Sequence, residues 1–466
     1  MVVATPTAIA RPPVYFHYMP WFETPASNGG EWGYHWQFLN RDPSQVDAQG
    51  RRDIASHYYP KIGPYASGDP NVLEYHLLLT KLSGAEGLLL DWYGVAGSNG
   101  DIASLLANSN AIFDKAAQFG LDVGVVLEDR FARSPADVQA NINYLRQNYF
   151  NQPHYLRVGP GDDPLLMIFG PIGMEDPAAW SSILPTAGEP ITTLPLWYQS
   201  PDVGPLSDGE FAWIFEDESL DDHLQQQQTF LNDIARTLGT AAGVAYAGFN
   251  DFYAEGGVGD IIGFDIPVSR DTLAATFDVI DLAGDDVDLV QLATFNDFGE
   301  GTMFEPTVEF GYDFLSEVQQ FTGVDLGEDA LAMAFELYSL RVAFGDRPEV
   351  AVLLDDASTA LSAFDLIAAR QALDAAVGLP GDANRDGVVD LADFGNLRSN
   401  FGLFVADYSR GDFNADGVVD LQDFGLLRAN FGGDAAALDA WSSTVPEPTS
   451  SLLVLAAGCV ALRRRK

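Results

Sequence analysis

The stretch LVQLATFNDFGEGTMFEP, residues 289–306, decides how the rest of the chain is read. Its first half is a largely apolar run of strand length, and it ends in Asn296 and Asp297, with Glu300 three residues later on a glycine-containing loop. A short run apolar on both faces belongs to a parallel sheet covered on both sides. Two acids leaving the end of such a strand together point to a site at that end.

Seven runs of the same kind lie upstream: VYFHYMPW (14–21), GAEGLLLDWYG (84–94), LDVGVVLEDRF (121–131), PLLMIFG (164–170), TLPLWYQ (193–199), EFAWIF (210–215) and AGVAYAGFND (242–251). Helical patterns separate most of them, over 102–119, 135–149, 220–239 and 270–283. Asp69-Pro70 opens another that runs to Leu82, since Asp caps a helix and Pro suits its first turn. Eight strands alternating with helices predict an α/β fold, a (β/α)8 TIM-type barrel over residues 12–325 behind an N-terminal segment 1–11. The barrel is expected to be irregular, because about ten residues separate the fifth and sixth strands, too few for a normal crossover helix.

Active sites of such barrels lie at the C-terminal strand ends. The polar residues gather there: Asp91, Trp92 and Tyr93 after the second strand, Glu128, Asp129 and Arg130 after the third, Tyr198 and Gln199 after the fifth, Asn250 and Asp251 after the seventh, and Asn296, Asp297 and Glu300 after the eighth. The tetrapeptide Phe-Asn-Asp-Phe occurs twice, at 249–252 and 295–298. Tyr18 and Trp21 on the first run, His35 and Trp36 in the aromatic loop GGEWGYHWQF (29–38), and Glu305 complete the candidate substrate contacts. Two carboxylic acids at one rim are the minimum for glycoside hydrolysis, one protonating the leaving oxygen and the other serving as base or nucleophile. Flat aromatic faces (Trp21, Trp32, Trp36, Trp92, Tyr93) suit sugar rings. No Ser-His-Asp order, phosphate loop or HExxH motif is present, and no metal is expected in the barrel.

The formal charge of −43 over 466 residues excludes nucleic acid as a partner, since phosphates are repelled. An apolar content of 47% provides for a sizeable core. With Cys459 as the single cysteine, no intramolecular disulfide forms.

Residues 326–378 carry two helical patterns, Glu328–Phe344 and Thr359–Val377, expected to form an antiparallel pair. Beyond them, GDANRDGVVDLADFGNLRSNFG (381–402) recurs as GDFNADGVVDLQDFGLLRANFG (411–432). Acids and amides fall at loop positions 1, 3, 5, 9 and 12: Asp382, Asn384, Asp386, Asp390 and Asp393, then Asp412, Asn414, Asp416, Asp420 and Asp423. Gly387 and Gly417 stand at position 6, and Val388 and Val418 offer backbone carbonyls at position 7. This is EF-hand spacing of hard oxygen ligands for Ca²⁺, one ion per loop. The pattern resembles type I dockerin repeats, so a small all-α module over 379–434 is expected, with a cohesin-like partner or a purely structural role both open.

After a linker at 435–444, Val445-Pro446-Glu447-Pro448 precedes SSLLVLAAGCVAL and Arg463-Arg464-Arg465-Lys466. That apolar run is shorter than the roughly 20 residues a membrane span needs. Residues 445–466 resemble a PEP-CTERM sorting signal, which implies export and reading by an exosortase-type machinery. The N-terminal MVVATPTAIARPP lacks the charged and apolar regions of a leader, so a start upstream of Met1 is expected.

The barrel resembles glycoside hydrolase family 99 and its bacterial relatives. The pieces that carry the resemblance are YFHYMPWF, YYPKIGPYASGDPNVLEYHLLLTKLSGAEGLLLDWYG, VGVVLEDRF and TFNDFGEGTMFEP. The family form of the last is close to S-F-N-E-W-H-E-G-T-x-x-E-P, and its catalytic glutamates fall on Asp297 and Glu300. The resemblance implies internal, retaining cleavage of α-mannosidic linkages in a polysaccharide. It makes Asp297 a base on the sugar 2-hydroxyl, Glu300 the acid/base, and Glu128 a contact of the reacting sugar. Asp297 is one methylene shorter than the family residue, and Gly299 replaces a histidine. An α-1,3-glucanase of similar barrel type and a non-catalytic carbohydrate-binding surface protein are the alternatives.

Overall fold

The computed structural model describes residues 11–215, 223–259, 264–432, Leu438 and Trp441. The sorting tail and residues 1–10 lie outside these. The eight apolar runs form parallel strands: β1 Val14–Tyr18, β2 Gly87–Trp92, β3 Asp122–Leu127, β4 Asp163–Ile168, β5 Thr192–Pro195, β6 Gly209–Phe211, β7 Thr240–Ala245 and β8 Leu289–Leu292. Each pairs with its sequence neighbour, and β1 also pairs with β8, with Val14 opposite Val290. The barrel closes between β5 and β6 through the bridge Leu196–Phe211 and two backbone bonds, Asp208 N–H to Thr193 O at 3.0 Å and Trp197 N–H to Phe211 O at 2.9 Å. The expected irregularity is here: only the one-turn helix Ser200–Val203 spans this crossover. A two-residue strand, Arg157–Val158, adds antiparallel to β4.

The strands are shorter than the apolar runs because their last residues leave the sheet as rim loops, which places the polar ends where a site can form. Helices cover the outside. Helix Pro70–Leu82 begins as read, with the Asp69 carboxylate accepting from the Asn71 and Val72 N–H groups. Helix Ile102–Phe119 ends on Gly120 at φ +63°, a left-handed turn that glycine makes without strain. Pro135–Asn148, Pro177–Ile183, His223–Thr237, Arg270–Ala283 and Asp313–Thr322 follow.

The expected helical pair is a set of three helices, Gly327–Phe344, Pro348–Ser362 and Leu366–Val377. Pro348 starts the extra helix, and a turn through Phe364, at φ +61°, divides the long second pattern in two. Asp365 then caps the last helix by accepting from the Ala368 N–H. The repeat region folds as helices Leu391–Asn400 and Leu421–Asn430, each opened by a reciprocal capping box, Asp390 with Asp393 and Asp420 with Asp423. Among the described residues no helix is long and apolar enough to cross a membrane.

Arg341 joins the added helices to the barrel. Its guanidinium binds the buried Glu74 carboxylate of helix Pro70–Leu82 at 2.8 and 3.0 Å. Removing one partner of such a pair strands the other charge in a low-dielectric site. Arg341→Met is expected to cost about 3 kcal/mol in urea unfolding, most of it recovered in the Arg341→Met/Glu74→Gln double variant.

Candidate active site

The loop after β8 is held from below by a buried network. Asn296 takes the Met19 N–H on its Oδ1 at 2.8 Å and donates through Nδ2 to the Met19 carbonyl at 3.1 Å and the Tyr65 hydroxyl at 3.0 Å. The Tyr65 hydroxyl donates to Glu305 at 2.6 Å; Glu305 stands 3.4 Å from His76 Nε2, and the other ring nitrogen of His76 meets the Tyr18 hydroxyl at 2.8 Å. Asn296, Glu305 and Tyr18 are therefore scaffold, a correction to their reading as substrate contacts: each is bonded into the barrel and none lines the cavity above. Trp36 and Trp92 are corrected likewise. Trp36 is fully buried, stacked on Phe22 and donating to the Tyr65 carbonyl. Trp92 is fully buried against Tyr144 and Tyr149.

Above this floor, Asp297 and Glu300 open into one cavity of about 300 Å³. Asp91, Tyr93, Glu128, Trp21 and His35 line it too, so the structure brings together seven of the residues singled out from sequence. Trp21 and His35 stack face to face at 4.0 Å. The turn fixes the acid pair: Asp297 N–H donates to Thr294 Oγ1 at 2.8 Å, and Glu300 N–H donates to Asp297 Oδ1 at 3.0 Å. The Tyr253 hydroxyl donates to Glu300 Oε1 at 2.7 Å. A Cβ on Gly299 would meet the Phe38 ring at 2.8 Å, so Phe38 occupies the space a side chain at 299 needs.

The two Phe-Asn-Asp-Phe copies face one another. Asn250 N–H donates to the Glu300 carbonyl at 2.9 Å, and Phe252 N–H to the Gly299 carbonyl at 2.8 Å. Asp251 accepts from the Tyr253 N–H at 2.8 Å, and Asn250 donates to the Tyr58 hydroxyl at 3.0 Å. Neither residue lines the cavity; both position the loop that delivers Tyr253, a second correction. Asp129 behaves similarly, accepting three backbone N–H groups of residues 172–174. Its neighbour Glu128 turns inward and pairs with Arg130 at 2.6 Å.

Burial governs the electrostatics. It pushes the Asp297 carboxyl up to about 6, against bonds from the Glu300 and Gly299 N–H groups that favour the charge. It pushes Glu128 to about 7 despite Arg130. Asp91 is driven well up by burial and by the Glu128 charge. A second cavity, of about 470 Å³, adjoins the first through Arg130, Trp213 and Glu300. Trp197 and the exposed Tyr198 line it, with Tyr198 at φ +63° and its N–H held by the buried Glu210 at 2.5 Å. A larger cavity, about 920 Å³, lies away from the strand ends between surface helices, where Glu74, Arg341 and Asp355 satisfy one another.

Residues 12–196 match the family model of glycosyl hydrolase family 99. That segment spans β1 to β5 and holds Asp91 and Glu128; the acid pair lies beyond it. A Homo sapiens glycoprotein endo-alpha-1,2-mannosidase-like protein is 30% identical over 185 residues, 37% of this chain and 39% of that one. The Rattus norvegicus glycoprotein endo-alpha-1,2-mannosidase is 28% identical over 192 residues, 38% of this chain and 40% of that one. The chain thus spans about two-fifths of the length of the curated relatives it matches. The solved family 99 endo-alpha-mannosidase of Bacteroides thetaiotaomicron shares the fold, at 19% identity and a TM-score of 0.52 over 69% of this chain and 98% of that one.

In the repeat loops, Asp382 accepts from the Asp386 and Gly387 N–H groups, and Asp412 from those of Asp416 and Gly417. Gly387 and Gly417 both sit at φ +90°. Among the described residues no three His, Cys, Asp or Glu side chains are gathered into a metal-ready cluster. The donors nonetheless fit a hard cation. Burial beside Asp423 and Asp416 drives Asp412 up to about 8, and Asp423 rises to about 6, a repulsion that a bound cation relieves.

Sequence reading missed His17, Trp213 and Tyr253 as cavity-lining residues, whereas Arg130, one of the polar strand-end residues, lines the cavity as expected. Asp297 also bears on stability. Its carboxyl holds a proton more tightly folded than unfolded, so stability falls as pH rises from about 4 through 6. Asp297→Asn is expected to unfold with about 3 kcal/mol greater stability at pH 7.5, a gain absent at pH 4, by denaturant titration at both values.

Proposed function

We propose that the protein is a glycoside hydrolase that cuts within mannose-containing glycans, with Asp297 and Glu300 as its working carboxylates. The observation that carries this reading is their convergence with Glu128, Asp91 and two stacked aromatic rings in one cavity at the C-terminal barrel face. The adjoining aromatic cavity supports internal cleavage, because it leaves room for further sugar units beside Glu300. The named relatives and the matched family favour α-mannosidic linkages.

In this reading Asp297 takes the proton of the 2-hydroxyl, whose oxygen attacks C1 while Glu300 protonates the departing glycosidic oxygen. Water then opens the 1,2-anhydro sugar. Glu300 accepts its proton, Asp297 returns one to O2, and the anomeric configuration is retained. Tyr253 aims Glu300, and desolvation tunes Asp297 toward neutrality, where a base has useful affinity for a proton. The base is needed ionised, so kcat/KM is expected to rise with pH through an apparent value near 6.

Glu300→Gln is expected to lower reducing-sugar release from α-mannan by 10²–10⁴-fold while leaving glycan binding intact. Absence of release by the unmodified protein from α-mannan, α-1,3-glucan and a broad glycan panel overturns the hydrolase reading. The short Asp297, tied to the turn through Glu300 N–H, favours the second reading, a carbohydrate-binding protein on an inactive barrel; a glycan array separates the two.

The remaining assignments are proposals of the same standing. Ca²⁺ occupies the two repeat loops, the PEP-CTERM tail directs export through exosortase-type machinery, and the module serves the barrel rather than a cohesin-like partner. The Phe404 N–H bond to Gln49 O and the Lys61 bond to Asp416 O support the last point. Millimolar Ca²⁺ is expected to raise the melting temperature of the whole chain and EDTA to lower it, in calorimetry.

A further inference from the structure

His17, on β1, is fully buried yet borders the candidate active-site cavity. Its tautomer is fixed from behind. Gln291 Nε2 donates to the Ala212 carbonyl at 2.5 Å, which leaves Gln291 Oε1 to face His17 Nδ1 at 3.2 Å. An amide oxygen only accepts, so Nδ1 carries the hydrogen and Nε2 is a bare acceptor. Burial pushes the ring's pKa down to about 4, so it is neutral at physiological pH. The Trp213 edge packs against it at 4.8 Å. His17 Nε2 has no protein hydrogen-bond partner.

Asp91 borders the same cavity, is 2% exposed, and has one carboxyl oxygen without a protein partner. The Trp21 indole N–H, also on this cavity, is unpaired as well. Buried polar groups in a folded protein are nearly always satisfied, so unsatisfied ones that also border a cavity call for a partner inside it. Unsatisfied groups of both polarities within one concave, partly aromatic cavity fit a ligand that presents several hydroxyls on a rigid ring.

We propose that His17 and Asp91 are specificity-determining residues that read two hydroxyls of the sugar in this cavity, His17 Nε2 accepting one hydroxyl proton and the unsatisfied Asp91 oxygen engaging a second. The inference rests on the carbohydrate reading above. It adds that sugar choice is made by β1 and β2, the strands next in the wall to the one that carries the acid pair. A site built to pair with a hydroxyl rejects an analogue that lacks it, because the buried protein atom is then stranded.

The test is calorimetric titration of α-mannotriose and its monodeoxy analogues into the Glu300→Gln protein, alone and combined with His17→Phe or Asp91→Leu. Each second substitution is expected to weaken binding of the parent sugar about tenfold. The penalty should vanish for one monodeoxy position, and that position should differ between the two variants. Glycan binding that responds equally at every position, or not at all, overturns this inference alone. Glycan binding absent from the Glu300→Gln protein overturns it together with the reading it rests on. A measurement on the unsubstituted side chain guards against misfolded variants: the His17 Nε2 ¹⁵N resonance should lie in the unprotonated range and move on addition of α-mannotriose. A protonated or unresponsive Nε2 overturns the assignment.

Discussion

A buried amide extends the pairing of β1 with β8 beyond the end of the ladder, at the site itself. Asn296 accepts from and donates to the backbone of Met19, the residue that follows β1, and so ties the loop after the last strand to the first strand. Backbone groups buried at a strand end have no ladder partner, and leaving them unpaired costs free energy on the order of a hydrogen bond each. The Asn296 side chain supplies both. Tyr65, Glu305, His76 and Tyr18 extend the same network beneath the loop, and none of them faces the cavity. The acid pair therefore rests on a polar floor bonded from Asn296 through Tyr65 to Glu305, with His76 Nε2 standing 3.4 Å from the Glu305 carboxylate.

On top of that floor the electrostatics run the other way. Asp91, Glu128 and Asp297 are buried near one another, with Arg130 as the cation that lines the same space. Each carboxyl is raised by desolvation, so the folded state carries a penalty near neutral pH that the scaffold must offset. The offset is visible in the core beneath: β1, β2 and β8 bury every residue of their spans. Three desolvated acids around one cavity carry a cost that a polar ligand bound among them would offset.

The fold was legible because its signal is periodic and redundant. Eight continuous apolar runs, their spacing and the Asp69-Pro70 start all express local physics, and the short fifth crossover could be counted. The site was legible only to the level of the rim. Successive residues at a strand end point to opposite sides, and which one turns inward depends on register and on the loop beyond. Glu128 faces the cavity while Asp129 binds backbone behind it. The same tetrapeptide gives a cavity-lining acid at 297 and a loop brace at 251. Trp36 and Trp92, aromatic and near the rim, went into the core, since a large ring gains more from full burial than from a half-wet rim position. His17 had no distinguishing signal at all, since an isolated histidine in an apolar run reads as a strand residue.

The C-terminal module contacts the barrel close to the chain that follows Glu305. Lys61 N–H donates to the carbonyl of Pro306, the residue after Glu305, while its ammonium donates to the Asp416 carbonyl in the second repeat loop at 2.5 Å and lies over the Phe335 ring at 4.5 Å. Burial lowers the pKa of this lysine, and the Asp416 and Asp412 charges act against that shift. The charge is thus held in place by the acidic loop it contacts. One residue joins the repeat loop to the network under the acid pair, with no flexible segment between them. The module is therefore docked on the barrel through side-chain and backbone contacts, at Lys61 and at the Phe404 N–H bond to Gln49 O, and not through its linker alone.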